Sequence, residues 1–330
     1  MAADDRAVVV GIKRYPALSM LEGPENDAVA FAEWLIDPSG GDVPAARVTR
    51  ILSSQFPQAT DPSTSAVDTA LEQIISDADQ NGGRGGRRLY LFLAGHGIAP
   101  SIDESALLMA NAARGMSGHH IPGRAYTNWF RTAALFDEVV LLMDCCRDVK
   151  TTAPVHVPPW DPRIGVKPSQ LFLGFAAEMG SASRERPSTT NGGQVRGRFT
   201  EAIVAGLRSA SDANGRVTNK TVPDFVFNAL AEEAERNHET ELTRQEPKFQ
   251  ASDPIVFATV AAPYTLTVAF TGTRPDLVTG DLSQTLAPTF EGATSARWEL
   301  KPGMYLLRRD TTAKVVTLLG IGGQERVEFP

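Results

Sequence analysis

Apolar residues fall in short unbroken runs, and amphipathic stretches separate them. Residues 7–12, 88–94 and 138–143 are such runs and predict strands, residues 48–52 predict a second short strand, and 171–176 is a candidate fifth. Between them, residues 24–36 predict a helix with Pro24 in its first turn and Ala28, Phe31 and Leu35 on one face. Residues 65–78 predict a second helix with Val67, Leu71, Ile74 and Ile75 on its apolar stripe, and residues 126–135 a third. Residues 200–207 and 221–237 predict two more, the last with Phe227, Leu230 and Ala234 inward. Strands that are apolar on both faces and alternate with helices predict an α/β fold, a mostly parallel sheet covered on both sides. In such sheets, sites form outside the carboxyl ends of the strands.

Two stretches lack periodicity. Residues 148–169 are rich in proline and read as a loop. Residues 178–198 are polar, carry four arginines and read as a mobile loop. Strand character returns at 253–260, and after about residue 262 the pattern changes to short alternating runs, at 264–270, 298–300, 304–307 and 314–319. These predict a small all-β, sandwich-like domain over 261–330, following a larger domain over 1–260. It shows no catalytic constellation.

Composition narrows the setting. The 330 residues carry a net charge of −7, which gives no electrostatic reason to expect nucleic acid as a partner. No apolar run is long enough for a membrane span, and the polar first six residues lead straight into a strand, so no signal peptide is expected. The only two cysteines, Cys145 and Cys146, are adjacent, a strained geometry for a disulfide and too few thiols for a structural zinc site. A reducing, cytoplasmic location fits.

Two strand ends carry the candidate chemistry. Residues 91–94 run into Gly95-His96-Gly97, and residues 139–143 run into Asp144-Cys145-Cys146-Arg147. A thiol becomes a competent nucleophile when an imidazole draws its proton. Taken singly, Cys146 also reads as a buried core cysteine and His96 as a satisfied structural histidine. Asp144 and Arg147 bracket the thiols and suggest that the strand has reached the surface. The two glycines leave room for a substrate beside His96. His119-His120 lacks a third ligand at metal spacing, and Gly82 to Gly86 precede a strand, so they do not fit a phosphate cradle.

Cys146 lies fifty residues after His96, the separation found between histidine and nucleophile in caspases. With Asp144 two residues before it, the segment resembles the metacaspase and bacterial orthocaspase branch of the clan CD cysteine peptidases. Residues 8–12, followed by Leu21-Glu22-Gly23-Pro24-Glu25-Asn26-Asp27-Ala28, resemble the family's first strand and its Leu-x-Gly-x-x-Asn-Asp-Ala segment. The likeness covers roughly residues 6–258 and implies a caspase-like sheet flanked by helices. It makes Cys146 the nucleophile, with Cys145 the runner-up thiol, and His96 its partner. The backbone N–H groups of Gly97 and Cys146 would form the oxyanion hole. It names no aspartate to orient His96.

The resemblance also bears on specificity and control. In this branch, acidic residues accept arginine or lysine at P1, the residue before the scissile bond; the matching positions of the S1 pocket are Asp27 and Asp144. Taken alone, Asp27 also reads as a helix-start acid. Relatives often have serine two residues before the histidine, where this chain has Ala94. Glu22 stands where relatives often have arginine and adds negative charge. Calcium dependence is unsupported, because Asp103, Glu104, Asp137 and Asp148 are scattered. No cofactor is expected. Such peptidases are commonly zymogens, and of the basic residues after the nucleophile, Arg163 and Arg184 are the candidate processing sites. The expected function is a cysteine endopeptidase that cleaves proteins after arginine or lysine, with an upstream activating protease as a further partner and a role in stress response or antiviral defence. The alternative is a catalytically silent caspase-like scaffold that signals through protein contacts.

Overall fold

A computed structural model describes residues 2–149, 156–178, 180, 183–188, 193–212, 215–240, 244–260, 264–280, 282–301, 303–318 and 323–330. The chain forms two compact units. One comprises Met1–Val204 and Pro223–Ile255, the other Ala205–Val222 and Val256–Pro330.

The first unit is built on a six-stranded sheet. In chain order its strands are β1 (Arg6–Gly11), β2 (Val48–Leu52), β3 (Gly86–Gly95), β4 (Phe136–Cys145), β5 (Gln170–Phe175) and β6 (Lys248–Ala251). In space they run β6-β5-β4-β3-β1-β2. The first five pair in parallel, and β6 joins β5 antiparallel. Helices α1 (Gly23–Ile36), α2 (Thr64–Gln80), α3 (Gly123–Ala133), α4 (Arg198–Ser209) and α5 (Thr221–Arg236) complete the main elements.

Strand alternation decides which helix each residue meets. Leu89, Leu91 and Leu93 of β3, with Val139, Leu141, Met143 and Cys145 of β4, share one cluster with Val67, Leu71 and Ile74 of α2 and Tyr126 and Phe130 of α3. The intervening Phe92 faces α1, where its ring stacks on Phe31 with centroids 4.8 Å apart. Both faces of the central strands are thus dry, which is why these strands read as continuous apolar runs rather than alternating ones.

Three expectations are corrected. Phe227 of α5 is 44% exposed rather than inward; the buried stripe runs through Val222, Val226, Leu230 and Ala234. Part of the stretch read as a loop between 178 and 198 is ordered backbone, with Glu185–Pro187 paired antiparallel to Val195–Gly197. The start of the other loop, Asp148–Val149, pairs with Gly97–Ala99. The edge strand β6 was not anticipated.

In the second unit, two four-stranded sheets enclose one core. Tyr264–Phe270, Ser295–Leu300, Phe290–Glu291 and Gly323–Phe329 make the first, and Asp276–Thr279, Thr285–Leu286, Gly303–Arg309 and Thr312–Leu318 the second. Leu266, Val268, Trp298, Leu307 and Leu318 fill the space between them. Val256–Thr259 pairs with Arg216–Thr218 at the start of this unit. No described helix is long and apolar enough to cross a membrane.

Truncating Phe92, fully buried and stacked on Phe31, leaves a cavity under α1. Phe92→Ala is expected to lower the stability of the first unit by about 3–5 kcal/mol, read as an earlier urea unfolding midpoint.

Candidate active site

The parallel pairing of β3 and β4 sets Gly95 beside Cys145. His96 and Cys146 are therefore the residues that follow two neighbouring strand ends, and adjacent strands lie only about 4.8 Å apart. The chain closes tightly there. A Cβ on Gly97 would collide with the carbonyl oxygen of Cys146 and sit 2.6 Å from the sulfur of Cys145. Glycine after His96 is thus what lets the backbones of the two candidate oxyanion donors meet.

His96 is held from two directions. Its backbone N–H donates to the Tyr15 hydroxyl at 3.0 Å, and that hydroxyl donates to the Leu108 carbonyl, also at 3.0 Å. The Tyr15 and His96 rings pack with centroids 4.7 Å apart. The imidazole Nε2 lies 2.8 Å from the Ser19 carbonyl oxygen and 3.2 Å from its hydroxyl. A carbonyl oxygen can only accept, so Nε2 carries the proton in this bond and Nδ1 is left as the basic nitrogen. The orienting group is a backbone carbonyl supplied by the loop after β1. The sequence alone named no orienting group for His96.

The two thiols differ in surroundings. Neither forms a disulfide. Cys145 points into the core, and burial pushes its thiol far above the ordinary range, with Cys146 and Asp144 adding to the effect. Cys146 is half-buried, and its sulfur approaches the Ser183 carbonyl at 3.7 Å.

Asp27 and Asp144 are brought together, although 117 positions separate them in the sequence. A Cβ on Gly197 would collide with Oδ2 of Asp144 and lie 3.0 Å from Oδ2 of Asp27. Their exposure corrects the reading of Asp144 as a surface marker: Asp27 is 2% exposed, Asp144 6%, and Arg147 7%. Both carboxylates are met by donors from the chain itself. The Gly197 N–H donates to Asp27 at 2.9 Å and 3.0 Å. Asp144 accepts the Thr200 N–H at 3.0 Å, the Thr200 hydroxyl at 2.6 Å and the Ser183 hydroxyl at 2.5 Å. The Thr200 bonds satisfy the N-terminus of α4, which gives Asp144 a capping role. Burial raises the pKa of both acids, and the Asp144 charge raises that of Asp27 further.

The two candidate processing residues lie apart. Arg163 forks onto Asp79 of α2, at 2.5 Å and 2.9 Å. Arg184 follows Ser183 beside the thiol, is exposed, and donates its backbone N–H to Gln245 at 3.1 Å. His120 is buried, with Nδ1 2.6 Å from the Ser117 carbonyl. Among the described residues, no group of three histidine, cysteine or acidic side chains could hold a metal ion.

The contrast between the thiols is directly measurable. Brief iodoacetamide treatment of the native protein at pH 8 is expected to label Cys146 and spare Cys145, while labelling in urea modifies both; peptide mass spectrometry reads the sites.

Three comparisons bear on this arrangement. A probable protease of a Desulfuromonadales bacterium is 27% identical over 223 residues, which is 63% of this chain and 26% of that protein, so the chain matches about a quarter of its relative's length. The crystal structure of caspase-1 from Spodoptera frugiperda aligns with a TM-score of 0.50 at 13% identity, over 78% of this chain and 91% of that one, a likeness of fold. The family model described as the caspase domain of the C14 peptidases matches residues 4–254, and the chain belongs to this family of cysteine peptidases.

Proposed function

We propose that the protein is a cysteine endopeptidase that cleaves after arginine or lysine. The observation that carries this reading is the half-buried Cys146 at the strand end beside His96, whose Nε2 is committed to Ser19. In the reaction, Nδ1 of His96 takes the Cys146 proton, and the thiolate attacks the scissile carbonyl carbon. The oxyanion is held by the N–H groups of Gly97 and Cys146, where loss of one such donor typically costs about 10²–10³ in rate. His96 then protonates the leaving amine, and water hydrolyses the thioester.

Asp27 and Asp144 supply the preference for a basic P1. Two carboxylates can take a guanidinium through charge-assisted bonds. Ser183 and the Gly197–Thr200 turn cover them, so substrate has to displace the Ser183 hydroxyl from Asp144. Cleavage after Arg184 would free Ser183 from this position, which makes Arg184 the favoured processing site. Arg163, engaged by Asp79, is the less accessible one. An upstream protease, or the enzyme itself, would make the cut. The same coverage is the one observation on the side of a silent scaffold.

Fluorogenic peptides with arginine at P1 test the reading, before and after limited proteolysis. Wild type is expected to turn them over and Cys146→Ala to match buffer; equal signals in every case would sink it in favour of the scaffold. Asp27→Asn and Asp144→Asn should each lower kcat/KM on the order of tenfold or more. Peptides ending in aspartate should be poor substrates. A pH profile adds a sign. Because both acids have raised pKa values, they stay neutral at pH values where ordinary carboxylates have ionised. The kcat/KM for arginine peptides should therefore keep rising with pH above the usual carboxylate range. A citrulline peptide, with no charge to pair, should lack that limb.

A further inference from the structure

The sheet edge has a second charged cavity, on the face away from the acid pair. There β5 ends in Phe175, which belongs to the layer packed under α2 and α3. Two guanidinium groups rest on its ring. Arg147, the residue after Cys146, is 5.0 Å from the ring centroid, and Arg124, in the first turn of α3, is 5.7 Å from it. With Asp103, Glu178 and Lys248, these residues line a cavity of about 410 Å³.

The arginines are poorly compensated. Arg147 is almost fully buried, yet its Nε has no hydrogen-bond partner among the described residues, and its Nη1 makes only a long 3.5 Å bond to the Ala177 carbonyl. The Nε of Arg124 is likewise buried without a partner, and its Nη1 donates to the neutral Gln250 side chain at 2.8 Å. The nearby acids are largely committed. Glu178 pairs with Lys248. Glu104 accepts the backbone N–H groups of Ser105, Arg124 and Ala125 at 2.8–2.9 Å. Glu104 and Glu178 still act on Arg147 through space, but neither makes a described hydrogen bond to it, and Asp103, the third acid near the cavity, is exposed. Buried, charged donors without acceptors are unfavourable until an anion meets them. Desolvation accordingly pulls the Arg147 pKa down.

The position of the cavity names its ligand. Asp144 lies on the α1/α4 side of β4, and Phe175 on the α2/α3 side of β5, with Cys146 at the edge between them. Side chains of an extended peptide alternate in direction. If P1 enters the acid pair, its two neighbours point to the opposite face. We propose that the Arg124–Arg147 cavity is a second specificity subsite, which takes the carboxylate of an acidic substrate side chain at P2 or P1′. This rests on the peptidase reading for the placement of P1. A substrate would then carry adjacent opposite charges, read by opposite charges on the two faces of one sheet.

A binding measurement on the full chain with Cys146→Ala separates the subsite from catalysis. The probes are dye-labelled peptides with arginine at P1 and either glutamate or glutamine at P2, and a matching pair varied at P1′. Fluorescence anisotropy is expected to give about tenfold tighter binding for glutamate at one of the two positions. Adding Arg124→Gln should bring the glutamate-to-glutamine ratio near one, and Arg124→Lys should leave part of it, with thermal melts checking that each variant is folded. Equal affinities at both positions, a preference that survives Arg124→Gln, or no binding by any peptide would overturn the subsite. Replacing the P1 arginine by citrulline tests the acid pair separately. If affinity is unchanged, the P1 assignment fails while the glutamate comparison still reads the cavity.

Discussion

Gly95 lies opposite Cys145 in the parallel pairing of β3 with β4, and the rest of the site is arranged around that register. Because side chains alternate along a strand, the register also decides what each neighbour faces. Cys145 goes into the layer under α2 and α3, where burial silences its thiol. Asp144 goes to the other face and meets the N-terminus of α4. Cys146, one residue past the strand, stays half-buried at the edge. A slip of one residue would bury the candidate nucleophile and place a carboxylate in the apolar layer. The dry packing on both faces, with Leu91 and Leu141 on one side and Phe92 against Phe31 on the other, is what holds the register against such a slip.

Much of this was legible in the residues, for definite reasons. Strands buried on both faces advertise themselves as apolar runs, so β1, β3, β4 and β5 and the helices between them could be read directly, whereas β2 is partly exposed and reads as a short strand. The histidine and cysteine stood out because each followed such a run. The edge strand β6 could not be read in the same way. Its Lys248-Phe249-Gln250-Ala251 sequence is half-exposed or exposed throughout, and it becomes a strand only because β5 offers it a free edge. Phe227 misled for a related reason: its ring packs on Phe249 of that unanticipated strand while remaining largely open to solvent.

The contacts that hold the candidate site were less legible than its residues. The group that fixes the His96 tautomer is the carbonyl of Ser19, and any residue can supply a carbonyl. The Tyr15 hydroxyl that holds the His96 backbone comes from 81 residues away and has no sequence mark. Asp144 looked like the end of a strand reaching water because a charge followed apolar residues. Its burial depends on α4, which closes over it through Thr200 and lies 56 positions away. Contacts between distant segments of this kind are what a single sequence leaves out.

The acid pair and the arginine pair pose the same electrostatic problem with opposite signs. Like charges have been brought together and partly dried on each face of one sheet edge. Burying like charges is unfavourable, and the protein relieves it on the acidic side by raised pKa values and by donors from Gly197, Thr200 and Ser183. On the arginine side the same relief is closed, since a guanidinium does not give up its proton near neutral pH. Stacking on Phe175 offsets only part of the lost hydration, and the two Nε groups have no acceptor among the described residues. On the proposed reading, raised pKa values and covering donors ease the acidic face before a cation arrives, whereas the basic face keeps its charge and is eased only by an anion. A substrate that brings both charges in adjacent residues would resolve both strains in one binding event.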